Sequence, residues 1–185
     1  LTQNRMTVVD HYASDEGLLA TAMTLCSDAE PDENGIAVGE PTECALVNYA
    51  TGLGISKKAL SEKLPRIAEA PFDSVRKLMT TLHRDGDRVT AFTKGAPDEL
   101  ITRCTRLFEN GEVTELTEEK RRELLNINKS FADRALRVLA AAYRVYPSLP
   151  EDVSPENLEN DLIFIGFCGM IDPVRPEVVG AVKEC

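Results

Sequence analysis

Two runs of strand-forming residues, 75–82 and 88–94, face each other across the five residues His83-Arg84-Asp85-Gly86-Asp87. An Asp-Gly pair between apolar runs is a strong local signal for a β-hairpin, because glycine supplies the positive φ of a tight reversal. Elements of both kinds surround this hairpin. Leu18, Leu19, Ala22, Met23 and Cys26 recur at helical spacing behind Asp15 and Glu16, whose charge suits a helix N-terminus. Pro41 opens a second helix with Ala45, Leu46, Tyr49, Ala50 and Leu53 as its apolar stripe and Gly54 as its stop. A short helix is expected from Pro97 and a longer one from Thr117, with Leu124, Ile127 and Phe131 facing inward. Residues 2–9 suit an extended segment, 135–143 a central strand, 147–161 an acidic surface loop and 162–171 the final strand. Pro173 and Pro176 then break the chain before a terminal helix. Antiparallel strands interspersed with helices, without βαβ alternation, predict an α+β fold: an antiparallel β-sheet flanked by helices.

Charge and composition exclude several functions. With 21 Lys and Arg against 31 Asp and Glu in 185 residues, the net charge is −10, which disfavours nonspecific binding to nucleic acid or an anionic membrane. Any anionic ligand must find a local basic site. The apolar stretch 162–171 is about half of the roughly 20 residues a spanning helix needs, so it reads as a buried strand. No basic-then-apolar signal segment opens the chain. Five scattered cysteines without CxxC spacing disfavour a disulfide framework and a structural zinc site, and fit a reducing compartment.

A few residues sit oddly for an ordinary core. Lys94 ends a strand on the face of Phe92 and Thr90, then meets Gly95-Ala96-Pro97. It is either a solvated strand-end lysine or a cation that reaches a ligand, with Gly95 allowing close approach to the backbone. Arg137 lies in an apolar strand, where it forms a structural ion pair or projects into a cleft toward an anion such as phosphate. Phe72 is an aromatic in a polar loop, either a hydrophobic anchor or a platform for a nucleobase. Lys77, on the following strand, is a phosphate-reaching cation or a solvated edge lysine. Glu43 stands in a first helical turn, where dipole reasons alone favour a carboxylate, though it could accept from an exocyclic amine. His11 and His83 have no metal-ligand spacing, and no Walker A, GxGxxG or GxSxG pattern is present.

Six ordered segments resemble the nucleotide-binding domain of the type II P-type cation pumps, most of all those of calcium. LTQNRMTV at the start is similar to the sequence after the family's phosphorylation motif DKTGTLT, and GEPTECAL (39–46) to GxPTExAL. PFDSVRKLMT (71–80) resembles FxSxRKxMS, TKGAPDEL (93–100) the KGAPE signature, ALRVLAAAYR (135–144) the LRxLxxAxR strand and GMIDPVRPEV (169–178) the DPPR hinge. The resemblance implies that Phe72 stacks on adenine, Lys94 and Gly95 line the base of its pocket, and Glu43 addresses the adenine amino group. Arg137 and Lys77 would serve the polyphosphate. It further implies a hinge segment at 1–9, the nucleotide-binding domain at 10–168, and at 169–185 a return hinge, with Asp172, Pro173 and Arg175, and the start of the phosphorylation domain. The phosphorylated aspartate would lie upstream, so no catalytic or metal-binding residue is expected in the chain. Mg²⁺ would be held mainly by the phosphorylation domain. ATP or ADP and the phosphorylation and actuator domains would be its partners, with no nucleic acid and no direct membrane contact. The fragment would be a monomer, the cytoplasmic part of a pump in a bacterial cell membrane, and unable to turn over ATP alone. The ion would be calcium, with sodium, potassium or protons as alternatives. Asp98 for Glu, Ser74 where calcium pumps often have Arg, and Val174 for the second hinge proline depart from the pattern. An interaction module with the same fold and no nucleotide is the alternative function.

Overall fold

The computed structural model describes residues 5–172. The 75–94 region does form a hairpin, with β5 (Leu78–Asp85) paired to β6 (Arg88–Gly95) from Leu78↔Gly95 to Asp85↔Arg88. Its two-residue loop is Gly86-Asp87, and Gly86 takes the positive φ of 62°. β5 starts three residues later than the sequence suggests. Residues 74–77 are instead a turn, in which the Asp73 carboxylate accepts from the Val75 amide (2.6 Å) and the Asp73 carbonyl from the Lys77 amide (2.7 Å). The turn joins β5 to a strand not anticipated, β4 (Arg66–Asp73), so Phe72 belongs to the end of a strand rather than to a loop.

β6 also pairs with β9 (Arg137–Tyr146), and β9 with β10 (Leu162–Ile171), both antiparallel. One side of β10 is shared by two strands: β1 (Thr7–Ala13), antiparallel along 166–171, and β7 (Cys104–Glu109), parallel along 162–164. β8 (Glu112–Glu115) closes the far edge of this eight-stranded sheet. Two short strands, β2 (Glu30–Pro31) and β3 (Ala37–Val38), pair separately.

Helices cover both faces. Met79, Phe92, Ala141 and Cys168 pack on one face with Leu19, Met23, Ala45 and Leu46 from α1 (Glu16–Leu25) and α2 (Pro41–Gly52). A short α3 (Lys57–Lys63), absent from the sequence reading, joins them. On the other face Leu78, Ala140, Phe164 and Phe167 meet Leu100, Leu124 and Phe131 from α4 (Pro97–Thr102) and α5 (Glu118–Asp133). The expected α+β architecture of an antiparallel sheet flanked by helices holds, with β7 against β10 the one parallel contact among the described residues. The acidic 147–161 segment contains a single helical turn, α6 (Pro155–Leu158), whose Leu158 is buried. The expected terminal helix, with Pro173 and Arg175 of the expected hinge, lies outside the described residues.

Candidate functional site

The first turn of α2 is the point at which three of the singled-out residues, Glu43, Lys94 and Arg137, converge. Pro41 sits at its first position, and the Glu40 side chain caps it by accepting from the Glu43 amide at 3.0 Å. This orients Thr42 and Glu43 toward the sheet. Lys94 Nζ, on β6, donates to Glu43 Oε2 at 2.7 Å and to Ser27 Oγ at 3.1 Å. Glu43 Oε1 accepts from the Asp28 amide at 3.0 Å. Arg137, the first residue of β9, donates from Nη1 to Thr42 Oγ1 at 3.3 Å.

Lys94 is therefore not the solvated strand-end lysine that its position allows; only 6% of its surface is exposed. Burial of an ammonium is costly without a paired carboxylate, and Glu43 supplies it. Arg137, at the first position of β9, is exposed and forms no ion pair among the described residues; its side chain reaches Thr42 instead.

Lys77 does not lie on a strand. It closes the β4–β5 turn with a φ of 62°, since the chain must reverse there before β5 begins. Its carbonyl accepts from the Ala96 amide at 3.2 Å and presses on Gly95. A methyl group at Gly95 would overlap that carbonyl oxygen and lie 2.7 Å from Leu78 Cδ2. The group that Gly95 admits to its backbone is thus the turn itself. Leu78 pairs with both Asp73 and Gly95, which sets the Phe72–Lys77 turn one strand away from Lys94. Phe72 is 60% exposed at this corner.

Several contributing residues had no mark in the sequence. Ser27 and Asp28, beyond the C-terminus of α1, complete the Glu43–Lys94 pair, and they are held in turn by two cations. Lys57 Nζ donates to the carbonyls of Ser27 (2.8 Å) and Ala29 and pairs with Glu30. Arg66 binds the Ser27 carbonyl (2.9 Å) and the Asp28 carboxylate (2.8 Å). Burial pulls Lys57 below the ordinary lysine range, against the opposing pull of Glu30. Among the described residues no group of three or more His, Cys, Asp or Glu side chains is placed to hold a metal ion. No helix among them is long and apolar enough to cross a membrane.

Comparison with known proteins decides the family: residues 17–177 match the family described as "P-type ATPase, cytoplasmic domain N". The chain belongs to it. Relatives of this N domain include "Calcium-transporting ATPase 1" of Lactococcus lactis subsp. lactis, 41% identical across the whole chain. "Calcium-transporting ATPase 1" of Bacillus cereus is 39% identical and "Calcium-transporting ATPase" of Bacillus subtilis 37%, again over all of the chain. The N domain spans 21–22% of the length of these relatives. The resemblance read from the six motifs is borne out at the level of the family and of the calcium-pump relatives. The contacts of α2 with Lys94 and Arg137 are the geometry that this N domain brings to three of those motifs.

Proposed function

We propose that this N domain binds ATP at the corner formed by the first turn of α2, the end of β6, the start of β9 and the β4–β5 turn, and presents its γ-phosphate to an aspartate outside the chain. The observation that carries this reading is the convergence on Thr42 and Glu43 of a buried lysine, Lys94, and an exposed arginine, Arg137. With a net charge of −10 the domain as a whole repels a polyanion, so binding depends on local cations such as Arg137.

The residues present fit the ligand. Phe72, exposed at the corner, offers a face for adenine, a contact worth about 1–3 kcal/mol for a stacked base. Glu43 keeps lone pairs on a carboxylate already oriented by Lys94 and the Asp28 amide, so it can accept from the adenine amino group without reorganising. Gly95 and the Lys94 stem form the floor. Arg137 and Lys77 supply the positive charge for the phosphates, and Ser74 leaves that side with one cation fewer than many calcium pumps carry. ATP, when bound, supplies the transferable phosphoryl group; the chain's own residues bind and orient it. Mg²⁺ would be held mainly by residues of the phosphorylation domain.

In this reading residues 1–9 and the return segment at 169–185, with Asp172, Pro173 and Arg175 before the start of the phosphorylation domain, let the domain at 10–168 swing toward that domain. The full pump would transport a cation, calcium by likeness to its named relatives, and the chain alone would bind ATP or ADP without turning it over. Calorimetric titration with ATP tests the site: Phe72→Ala and Lys94→Ala should each weaken binding about tenfold or more. Unchanged affinity in both variants would contradict the proposal. Sustained ATP hydrolysis by the purified chain would contradict the division of labour.

A further inference from the structure

The β4–β5 turn holds a buried ion pair that none of these roles uses. Ala70 pairs with Thr80 and Asp73 with Leu78, so Pro71 and Phe72 together oppose the single residue Met79 and the ladder is broken. Arg76 reaches back to that irregularity. Its Nη2 donates to the carbonyls of Pro71 (2.8 Å) and Ala70 (3.3 Å), the two that precede Phe72. The same guanidinium meets Glu159 through Nε to Oε1 at 2.6 Å and Nη2 to Oε2 at 3.2 Å. Glu159 is only 1% exposed, and Thr80 Oγ1 also donates to its Oε2 at 2.7 Å, while Thr80 is bonded to Thr93 of β6 at 2.8 Å. Arg76 is thus a strut between a carboxylate fixed in the sheet and the peptide groups just before Phe72.

We propose that Arg76, set by Glu159, is a positioning residue that fixes the direction in which Phe72 is presented to the base. The proposal rests on the reading that Phe72 stacks on adenine. A side chain that is 60% exposed receives little orientation from packing, so its backbone must supply it. An arginine fork can hold two carbonyls and a carboxylate at once in one plane; a lysine is a point charge and cannot.

The test is a double-mutant cycle on the full 185-residue chain, titrating ATP against the unaltered chain, Arg76→Lys, Phe72→Ala and the double variant. Arg76→Lys keeps a cation beside buried Glu159 and removes the fork to Pro71 and Ala70. It should weaken ATP binding about fivefold when Phe72 is present and leave it nearly unchanged when Phe72 is alanine. An equal loss in both backgrounds, or none in either, overturns the positioning role. Glu159→Gln provides a second arm: in ligand-free spectra it and Arg76→Lys should both move the Phe72 ring resonances, and resonances unmoved in both also overturn it. Unchanged ATP affinity in Phe72→Ala alone overturns the stacking reading itself, a result that neither Arg76 outcome produces.

Discussion

Lys94 and Glu43, 51 residues apart in the chain, meet at 2.7 Å in a pair that is almost closed to solvent on the lysine side. Breaking a buried pair from one side leaves an uncompensated charge, whereas replacing both partners by apolar groups removes the problem. Glu43→Leu should therefore cost about 3 kcal/mol of unfolding free energy, and adding Lys94→Met should recover most of it. Urea unfolding of the two variants measures this. A double variant no more stable than Glu43→Leu would show that the pair does not carry that energy.

Gly95 is the tightest point of the corner. Gly95→Ala places a methyl group on the Lys77 carbonyl, which belongs to backbone and cannot rotate away, so the β4–β5 turn must shift. The expected loss is about 1–3 kcal/mol, accompanied by weaker ATP binding because Phe72 and Lys77 ride on the displaced turn. Urea unfolding and ATP titration of this variant check both parts, and neutral behaviour in both would contradict the close approach.

His83 makes the fold sensitive to acid. Its Nδ1 lies 2.9 Å from the Leu64 carbonyl, which can only accept, so Nδ1 carries the proton and Nε2 accepts from the Thr81 hydroxyl at 2.8 Å. Burial lowers its pKa from 6.5 to about 4; the Leu64 bond opposes this, and the charges of Arg66 and Lys57 add to it. The unfolded chain takes up this proton near pH 6.5, the folded chain only near 4. Stability from this group is whole above pH 6.5 and is lost as pH falls toward 4, by up to about 1.4 kcal/mol per unit. His83→Gln should flatten the pH dependence of unfolding free energy in that window, as measured by urea titrations at several pH values.

Much of this arrangement was legible in the sequence because the local chemistry was strong. Gly86 marked the reversal between β5 and β6, and Pro41 the start of α2, for the reasons of backbone geometry that make those residues useful there. β4 was hidden because it is an edge strand interrupted by Pro71, a residue tolerated only where the ladder is incomplete. The β7–β8 hairpin did carry a signal in Asn110-Gly111, both at positive φ, but β8 is short, exposed along its length and lacks an apolar alternation. The sequence left Arg137 open between an ion pair and a cleft, because its place at the first residue of β9, beside Thr42 of α2, depends on contacts 95 residues apart. The Arg76–Glu159 pair, 83 residues apart, could only be found in three dimensions.

The most direct test of nucleotide binding at this corner is an ATP titration of the unaltered chain followed by backbone amide shifts. Perturbations are predicted to cluster at Thr42, Glu43, Phe72 to Lys77, Lys94, Gly95 and Arg137, and to saturate in the millimolar range or below. Shifts that fall elsewhere, or none in millimolar ATP, would contradict the assignment and favour a module that keeps the fold without the ligand.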